Sequence, residues 1–118
     1  SAEFINQVQL IGQDKKKLTA LIVPNLEYIE TKFRVDSLDR INKNIEIKKF
    51  FKSKINYLLK KRLGFRNEEQ IMDCFFVEAF TIENGLLTQT LKQKRREIEK
   101  LYCEEIEEMY KIKKENVV

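Results

Sequence analysis

Gln7-Val8-Gln9-Leu10-Ile11-Gly12, Gln13-Asp14-Lys15-Lys16-Lys17 and Leu18-Thr19-Ala20-Leu21-Ile22-Val23-Pro24 follow one another near the start of the 118-residue chain, and their reading decides the fold. Two apolar, β-branched runs flank a charged run, which predicts two antiparallel strands joined by a turn over 13–17. In the second run Leu18, Ala20 and Ile22 alternate with Leu21 and Val23, so the strand is apolar on both faces. Such a strand belongs in the middle of a sheet with cover on each side. Pro24 has no N–H to donate and ends it.

Outward from this hairpin, Leu26 to Lys32 fits a short helix. The polar connection after it offers Asp36 or Ser37 as the cap of a further turn. Asn44 is a helix N-cap, Glu46 suits a first turn, and Ile47, Phe51, Ile55, Leu58 and Leu59 recur at helical spacing as far as Gly64. The Lys48, Lys49, Lys52, Lys60 and Lys61 positions of that helix read as a solvated face whose aliphatic stems cover apolar neighbours. Asp73 to Val77 reads as a third strand, with Phe75 and Phe76 directed to a core, and Asn84-Gly85 marks a tight reversal. A final helix is expected from about Gln93 to Ile112 on Ile98, Leu101, Tyr102, Ile106, Met109 and Tyr110, with residues 113–118 frayed. The expectation is a single α+β domain over 1–118, a small sheet of a β-hairpin plus a third strand packed by amphipathic helices.

Composition narrows the chemistry. A hydrophobic share of 42% with only three Gly and one Pro fits a packed, helix-rich domain and not a disordered chain. The run Leu18 to Val23 is far too short to span a bilayer, and no secretory signal opens the sequence, so a soluble cytoplasmic chain is expected. With Cys74 and Cys103 as its two thiols and no His, the sequence offers no zinc site, no other metal centre and no histidine relay. The excess of 23 Lys and Arg over 19 Asp and Glu suits anionic ligands without announcing a nucleic-acid binder. Lys15 to Lys17 beside Gly12 lack the glycine pattern of a phosphate-cradling loop and read as a hairpin turn.

The segment that stands out is Thr88-Gln89-Thr90-Leu91-Lys92-Gln93-Lys94-Arg95-Arg96, where four cations crowd the entry to the last helix. Each exposed cation at a helix N-terminus is disfavoured by roughly 0.3 to 1 kcal/mol, and Glu104, Glu105, Glu107 and Glu108 lie toward the other end, also against the dipole. An anionic ligand explains the basic end, because free N–H groups and cations both favour phosphate or carboxylate there. Ion pairs Arg95–Glu99, Lys94–Glu97 and Lys100–Glu104 along the helix explain it as well. Charge and spacing alone do not choose between the two. Lys92 differs from its neighbours in having no acid three or four positions onward.

Three blocks give the chain a family resemblance: Val8 to Pro24, Leu63-Gly64-Phe65-Arg66, and Phe80 through Leu87 into Thr88 to Arg96. Together they resemble the C-terminal domain of AMP-forming long-chain acyl-CoA synthetases, members of the adenylate-forming superfamily. The resemblance implies the fold of that C-terminal lid domain and makes Lys92, on the Thr90-Leu91-Lys92 step, the catalytic lysine of adenylate formation. It implies substrate contacts for Lys94, Arg95 and Arg96, and ATP, CoA and Mg2+ as requirements of the full enzyme, none bound tightly by this portion alone. It also implies a large N-terminal adenylate-forming domain as partner, through which fatty acid, ATP and CoA are met, and it admits peripheral membrane contact by the full enzyme. Gln89 stands where the family usually has Pro, which predicts a less rigid loop before Lys92. The chain is expected to begin inside the domain and to be inactive alone. The competing expectation is a non-catalytic basic module that binds nucleic acid, an anionic surface or a protein partner.

Overall fold

The computed structural model describes residues 3–12, 17–62, 64, 66 and 69–115, the last four by backbone alone. The chain divides into two compact units, Ser1–Glu78 and Ala79–Val118.

The first unit is built on the expected hairpin. Strand β1 (Ile5–Ile11) pairs antiparallel with β2 (Leu18–Pro24), in a register that sets Ile11 opposite Thr19 and Gln9 opposite Leu21. The turn expected over 13–17 falls outside the described residues up to Lys16. Strand β3 (Ile71–Phe76) runs parallel to β2, which gives the order β1-β2-β3. All seven residues of β2 are buried, as its two apolar faces require. A parallel neighbour needs a long crossover, and three helices supply it.

Helix α1 (Leu26–Phe33) is capped by Asn25, whose side chain accepts from the Tyr28 N–H, and it ends on Arg34 in the left-handed region at φ 60°. Helix α2 (Leu38–Asn42) takes Ser37 as its cap, settling the choice between Asp36 and Ser37. Helix α3 (Ile45–Lys60) is capped by Asn44 through the Ile47 N–H. It ends four residues before Gly64. Of the block Leu63 to Arg66, Leu63 and Phe65 lie outside the described residues.

One face of the sheet and the helices share an apolar core of Ala20, Ile22, Cys74 and Phe76 with Ile29, Ile41, Ile47, Phe51 and Ile55. Phe51 is its hub: its ring meets Phe4 at 5.1 Å and Phe76 at 4.9 Å, both edge-on. Edge-on contact sets the positive ring edge against the negative face, which adds about 0.5–1.5 kcal/mol per pair beyond area burial. Two asparagines tie the helices to the last strand. Asn42 brackets Phe76, accepting its N–H at 2.7 Å and donating to its C=O at 2.8 Å, and Asn56 does the same for Ile71. A side-chain amide thus replaces a missing strand neighbour along the free edge of β3.

Three expectations for α3 and β3 need correction. Leu58, assigned to the buried face, is 47% exposed, because it lies on the flank with Lys54 and Tyr57 and off the buried row of Phe51, Ile55 and Leu59. Phe75, assigned to the core, is only half-buried, since alternation along β3 turns it away from the face that holds Phe76, and the Lys48 ammonium lies 5.8 Å from its ring centre. The lysines of α3 are not one solvated face, since Lys52 donates to the Met72 C=O at 3.3 Å, while Lys48 lies over Phe75 as the expected cover for an apolar neighbour.

The second unit opens with a turn and closes with two helices, α4 (Arg95–Leu101) and α5 (Cys103–Glu115). The single helix expected from Gln93 to Ile112 is therefore broken at Tyr102, where φ −107° and ψ 24° leave the helical region. The break moves Leu101 off the buried face, to 59% exposure, while Ile98 and Met109 stay buried. It also accounts for the acidic residues. Glu104 and Glu105 occupy the first turn of α5, where the positive end of the helix dipole favours them. A charge pattern that opposes the dipole of one long helix is thus favourable in its second half once there are two.

Candidate functional site

The loop that carries Lys92 is shaped by two side chains upstream of it. Asn84 organises the entry: its carbonyl oxygen accepts the Thr81 N–H at 3.0 Å and the Leu86 N–H at 3.1 Å, and its amide donates to the Ala79 C=O at 2.9 Å. The Asn84 N–H in turn donates to the Thr81 hydroxyl at 3.0 Å. Gly85 then takes φ 79°, so the reversal expected at Asn84-Gly85 is formed by the residue types that tolerate it.

Thr88 organises the tip. Its N–H donates to the Lys92 C=O at 2.8 Å, its hydroxyl oxygen accepts the Lys92 N–H at 3.0 Å, and its C=O accepts the Leu91 N–H at 2.9 Å. The Thr88 and Thr90 hydroxyls are 3.1 Å apart. Below the tip Leu87 bridges Gln93 antiparallel, and the Lys94 N–H donates to the Leu86 C=O at 2.9 Å. Lys92 thus leaves a closed loop of five residues in which both of its own backbone groups are engaged. Leu91 pays with φ 65°, the left-handed region that costs an L-residue about 1–2 kcal/mol, and its side chain is 66% exposed. Sequence reasoning selected Lys92 and missed Thr88. The available signal was a Thr-X-Thr ahead of the lysine, a residue type that satisfies nearby N–H groups.

The four cations do not share one helix start. Lys92 lies in the loop, Lys94 is the N-cap residue of α4 without a side-chain capping bond, and Arg95 and Arg96 begin the helix. Gln93 and Lys94 are withheld from the helix by the bridge to Leu87 and the bond to Leu86. Arg95 turns back along α4 to Glu99 at 3.4 Å, the i,i+4 ion pair foreseen in the sequence. Lys92, Lys94 and Arg96 are exposed, and among the described residues their side chains form no ion pair. The helix-entry anion site therefore reduces to a loop lysine with cations behind it, since α4, at seven residues, is too short to carry much dipole. These cations offer no oxygen ligand to Mg2+. Among the described residues no group of three His, Cys, Asp or Glu side chains is placed to hold a metal ion.

No protein-family model matches the sequence. Individual proteins do. Over 116 residues the chain is 32% identical to the chloroplastic probable acyl-activating enzyme 16 of Arabidopsis thaliana, a match covering 93% of this chain and 15% of that protein. Over 109 residues it is 33% identical to the chloroplastic long-chain-fatty-acid–[acyl-carrier-protein] ligase AEE15 of the same plant, covering 92% and 14%. Over 114 residues it is 29% identical to the long-chain-fatty-acid–CoA ligase 6 of Mus musculus, covering 92% and 16%. The chain is homologous to the acyl-activating enzymes and long-chain-fatty-acid ligases. It spans about 15% of the length of these curated relatives.

Among solved structures, the A domain of carboxylic acid reductase from Segniliparus rugosus, in complex with AMP and a co-purified carboxylic acid, matches with a TM-score of 0.72. The identity is 22%, and the match covers 91% of this chain and 16% of that one. The adenylation domain of the carboxylate reductase from Mycobacterium chelonae matches with a TM-score of 0.70. The α+β fold is thus that of a portion of adenylate-forming enzymes. Among the described residues, the Thr88–Lys92 loop sets an exposed lysine side chain on a hydrogen-bonded backbone. No helix among the described residues is long and apolar enough to cross a membrane.

Proposed function

We propose that this chain is the C-terminal mobile domain of an ATP-dependent, AMP-forming long-chain fatty acid–CoA ligase, and that Lys92 is its catalytic residue. One observation carries the reading: in a homologue of acyl-activating enzymes, Lys92 has an exposed side chain on a loop whose backbone is locked by Thr88. The position of the lysine stem is set by the fold while its ammonium group stays available.

In the first half-reaction a carboxylate oxygen attacks the α-phosphorus of ATP, forming an acyl-adenylate and releasing pyrophosphate. Two anionic groups must be brought together, and an ammonium group between the carboxylate and the phosphate oxygens aligns them and offsets charge as it builds. Lys92 supplies that ammonium. Lys94 and Arg96, exposed behind the loop, extend the positive field toward the leaving pyrophosphate, whereas Arg95 is engaged with Glu99. In the second half-reaction the thiol of CoA attacks the acyl carbon and AMP leaves. No new phosphate bond forms there, so a lysine that serves adenylation is dispensable, and withdrawal of the domain frees the acyl carbon for the thiol. Mg2+ would enter with the nucleotide, on oxygens of a large adenylate-forming domain. Fatty acid, ATP and CoA would likewise be bound there.

A second reading of the acceptor is favoured by the 33% identity to an acyl-carrier-protein ligase: the thiol of a carrier protein replaces CoA, with the same first step. The test is a transplant. The matching 114-residue segment of the mouse ligase 6 is replaced by this chain, and ATP-dependent acyl-adenylate formation is measured, then acyl transfer to CoA and to acyl-carrier protein. The proposal expects adenylation by the chimera and none by the isolated chain. A folded chimera that binds ATP but forms no adenylate contradicts it, as does robust thioester formation by the isolated chain.

A further inference from the structure

Helix α3 carries far more positive charge than packing needs. Between Lys48 and Arg62 lie Lys48, Lys49, Lys52, Lys54, Lys60, Lys61 and Arg62, with no Asp or Glu among them. Lys48 and Lys52 are spent on β3, as described above. Lys49, Lys54, Lys60 and Lys61 are exposed, and among the described residues none of them pairs with a carboxylate. Positions 50, 54, 57, 58 and 61 fall on one stripe of a 3.6-residue helix, so Lys54 and Lys61 alternate with Phe50, Tyr57 and Leu58. Tyr57 is 58% and Leu58 47% exposed. Lys32 of α1 joins the stripe, its ammonium 5.4 Å from the centre of the Phe50 ring.

The Lys61 ammonium, through a hydrogen bond and then its charge, lowers the Tyr57 phenol below its ordinary value of 10.0, with Lys54 adding to it. Both rings already carry cation contacts. Lys61 stands 4.5 Å above Tyr57, and Lys54 stands 5.6 Å from Phe50. Single-stranded nucleic acid calls for open aromatic faces along a basic groove, and here an ammonium group already lies over a face of each ring. A bilayer surface needs neither. It takes cations at the level of lipid phosphates, and exposed Tyr and Leu side chains at the boundary beneath them.

We infer that the Lys49–Lys61 flank of α3, with Lys32, is a docking surface for an anionic phospholipid bilayer. The inference stands on this helix alone and does not depend on the ligase reading. Electrostatic adsorption of this kind loses about fivefold in partitioning for each lysine removed and fails when salt shortens the Debye length.

The test is co-sedimentation of the 118-residue chain with phosphatidylserine–phosphatidylcholine vesicles, beside vesicles of phosphatidylcholine alone. The expected result is binding to the first only, abolished by high salt. Lys54→Gln, Lys60→Gln and Lys61→Gln combined should lower it on the order of 100-fold. A control that removes the same charge elsewhere, Lys17→Gln, Lys100→Gln and Lys111→Gln, should keep most of it. Circular dichroism of both variants shows whether each is folded, and the wild-type arm needs no variant at all. Failure of the wild-type chain to bind phosphatidylserine vesicles overturns the inference, as does equal loss in the two triple variants. Capture of single-stranded oligonucleotide but not of vesicles overturns it in favour of nucleic acid.

Discussion

The two units hold their shape by different physics. In the first, Phe4, Phe51 and Phe76 meet edge-on inside a core that includes Ile22, Ile29, Ile41 and Ile47, and hydrogen bonds from Asn42 and Asn56 finish the edge of β3. In the second, the stretch from Ala79 to Lys94 contains no regular element, and its course is set by Asn84 and Thr88 bonding nearby backbone. An apolar core resists change because many contacts must be lost together. A loop held by a few polar bonds at the surface is specified in position yet inexpensive to rearrange. That mounting suits the role proposed for Lys92, which would enter one reaction step and leave before the next.

The contrast can be broken most severely at Phe51. Truncation by Phe51→Ala should cost about 3–5 kcal/mol in a denaturant melt of the first unit. A loss under about 1 kcal/mol would mean the aromatic cluster is not what holds the sheet to its helices.

The next effect separates the two thiols. Burial pushes the Cys74 thiol from 9.0 up to about 12, whereas Cys103 is exposed. A raised value in the folded state means that the unfolded chain loses the proton first. The stabilising contribution is therefore complete below pH 9.0 and is lost as pH rises toward about 12. Stability should fall across that window, and the fall should be smaller in Cys74→Ala. In native protein near neutral pH a thiol reagent should modify Cys103 alone. Equal labelling of both would show the first unit to be open.

Smaller effects should come from the polar loop. Asn84→Ala removes three side-chain bonds at an exposed site and should cost about 1–2 kcal/mol, read as faster amide exchange at Thr81 and Leu86. Thr88→Val removes the acceptor for the Lys92 N–H, and exchange there should quicken several-fold, while Thr88→Ser should leave it unchanged. If the valine and serine variants exchange alike, the hydroxyl does not fix the loop.

The same division decided what the sequence disclosed. The hairpin, the central place of β2 and the caps at Asn44 and Ser37 were legible because alternation and capping are local rules. The parallel pairing of β3 was not, since nothing in Asp73 to Val77 records its partner. The break at Tyr102 escaped a periodicity reading because Ile98 and Met109 keep helical spacing across it. The acidic pair Glu104 and Glu105 held the clue, as a first turn placed where a helix end was expected. At the candidate site, the sequence singled out Lys92 through its neighbours and the resemblance, and the structure adds its exposed place in the loop. Thr88 was hidden, because its role passes through backbone atoms that every residue has.

The central claim is that Lys92 serves adenylation and not thioester formation, and Lys92→Ala in the mouse ligase 6 chimera tests it most directly. Acyl-adenylate formation from fatty acid and ATP should fall by about 100-fold or more. Transfer of the acyl group from supplied acyl-adenylate to CoA should stay within about twofold, a difference of less than 0.5 kcal/mol in barrier. Equal loss in both half-reactions, or no loss in the first, would contradict the role assigned to the Thr88–Lys92 loop.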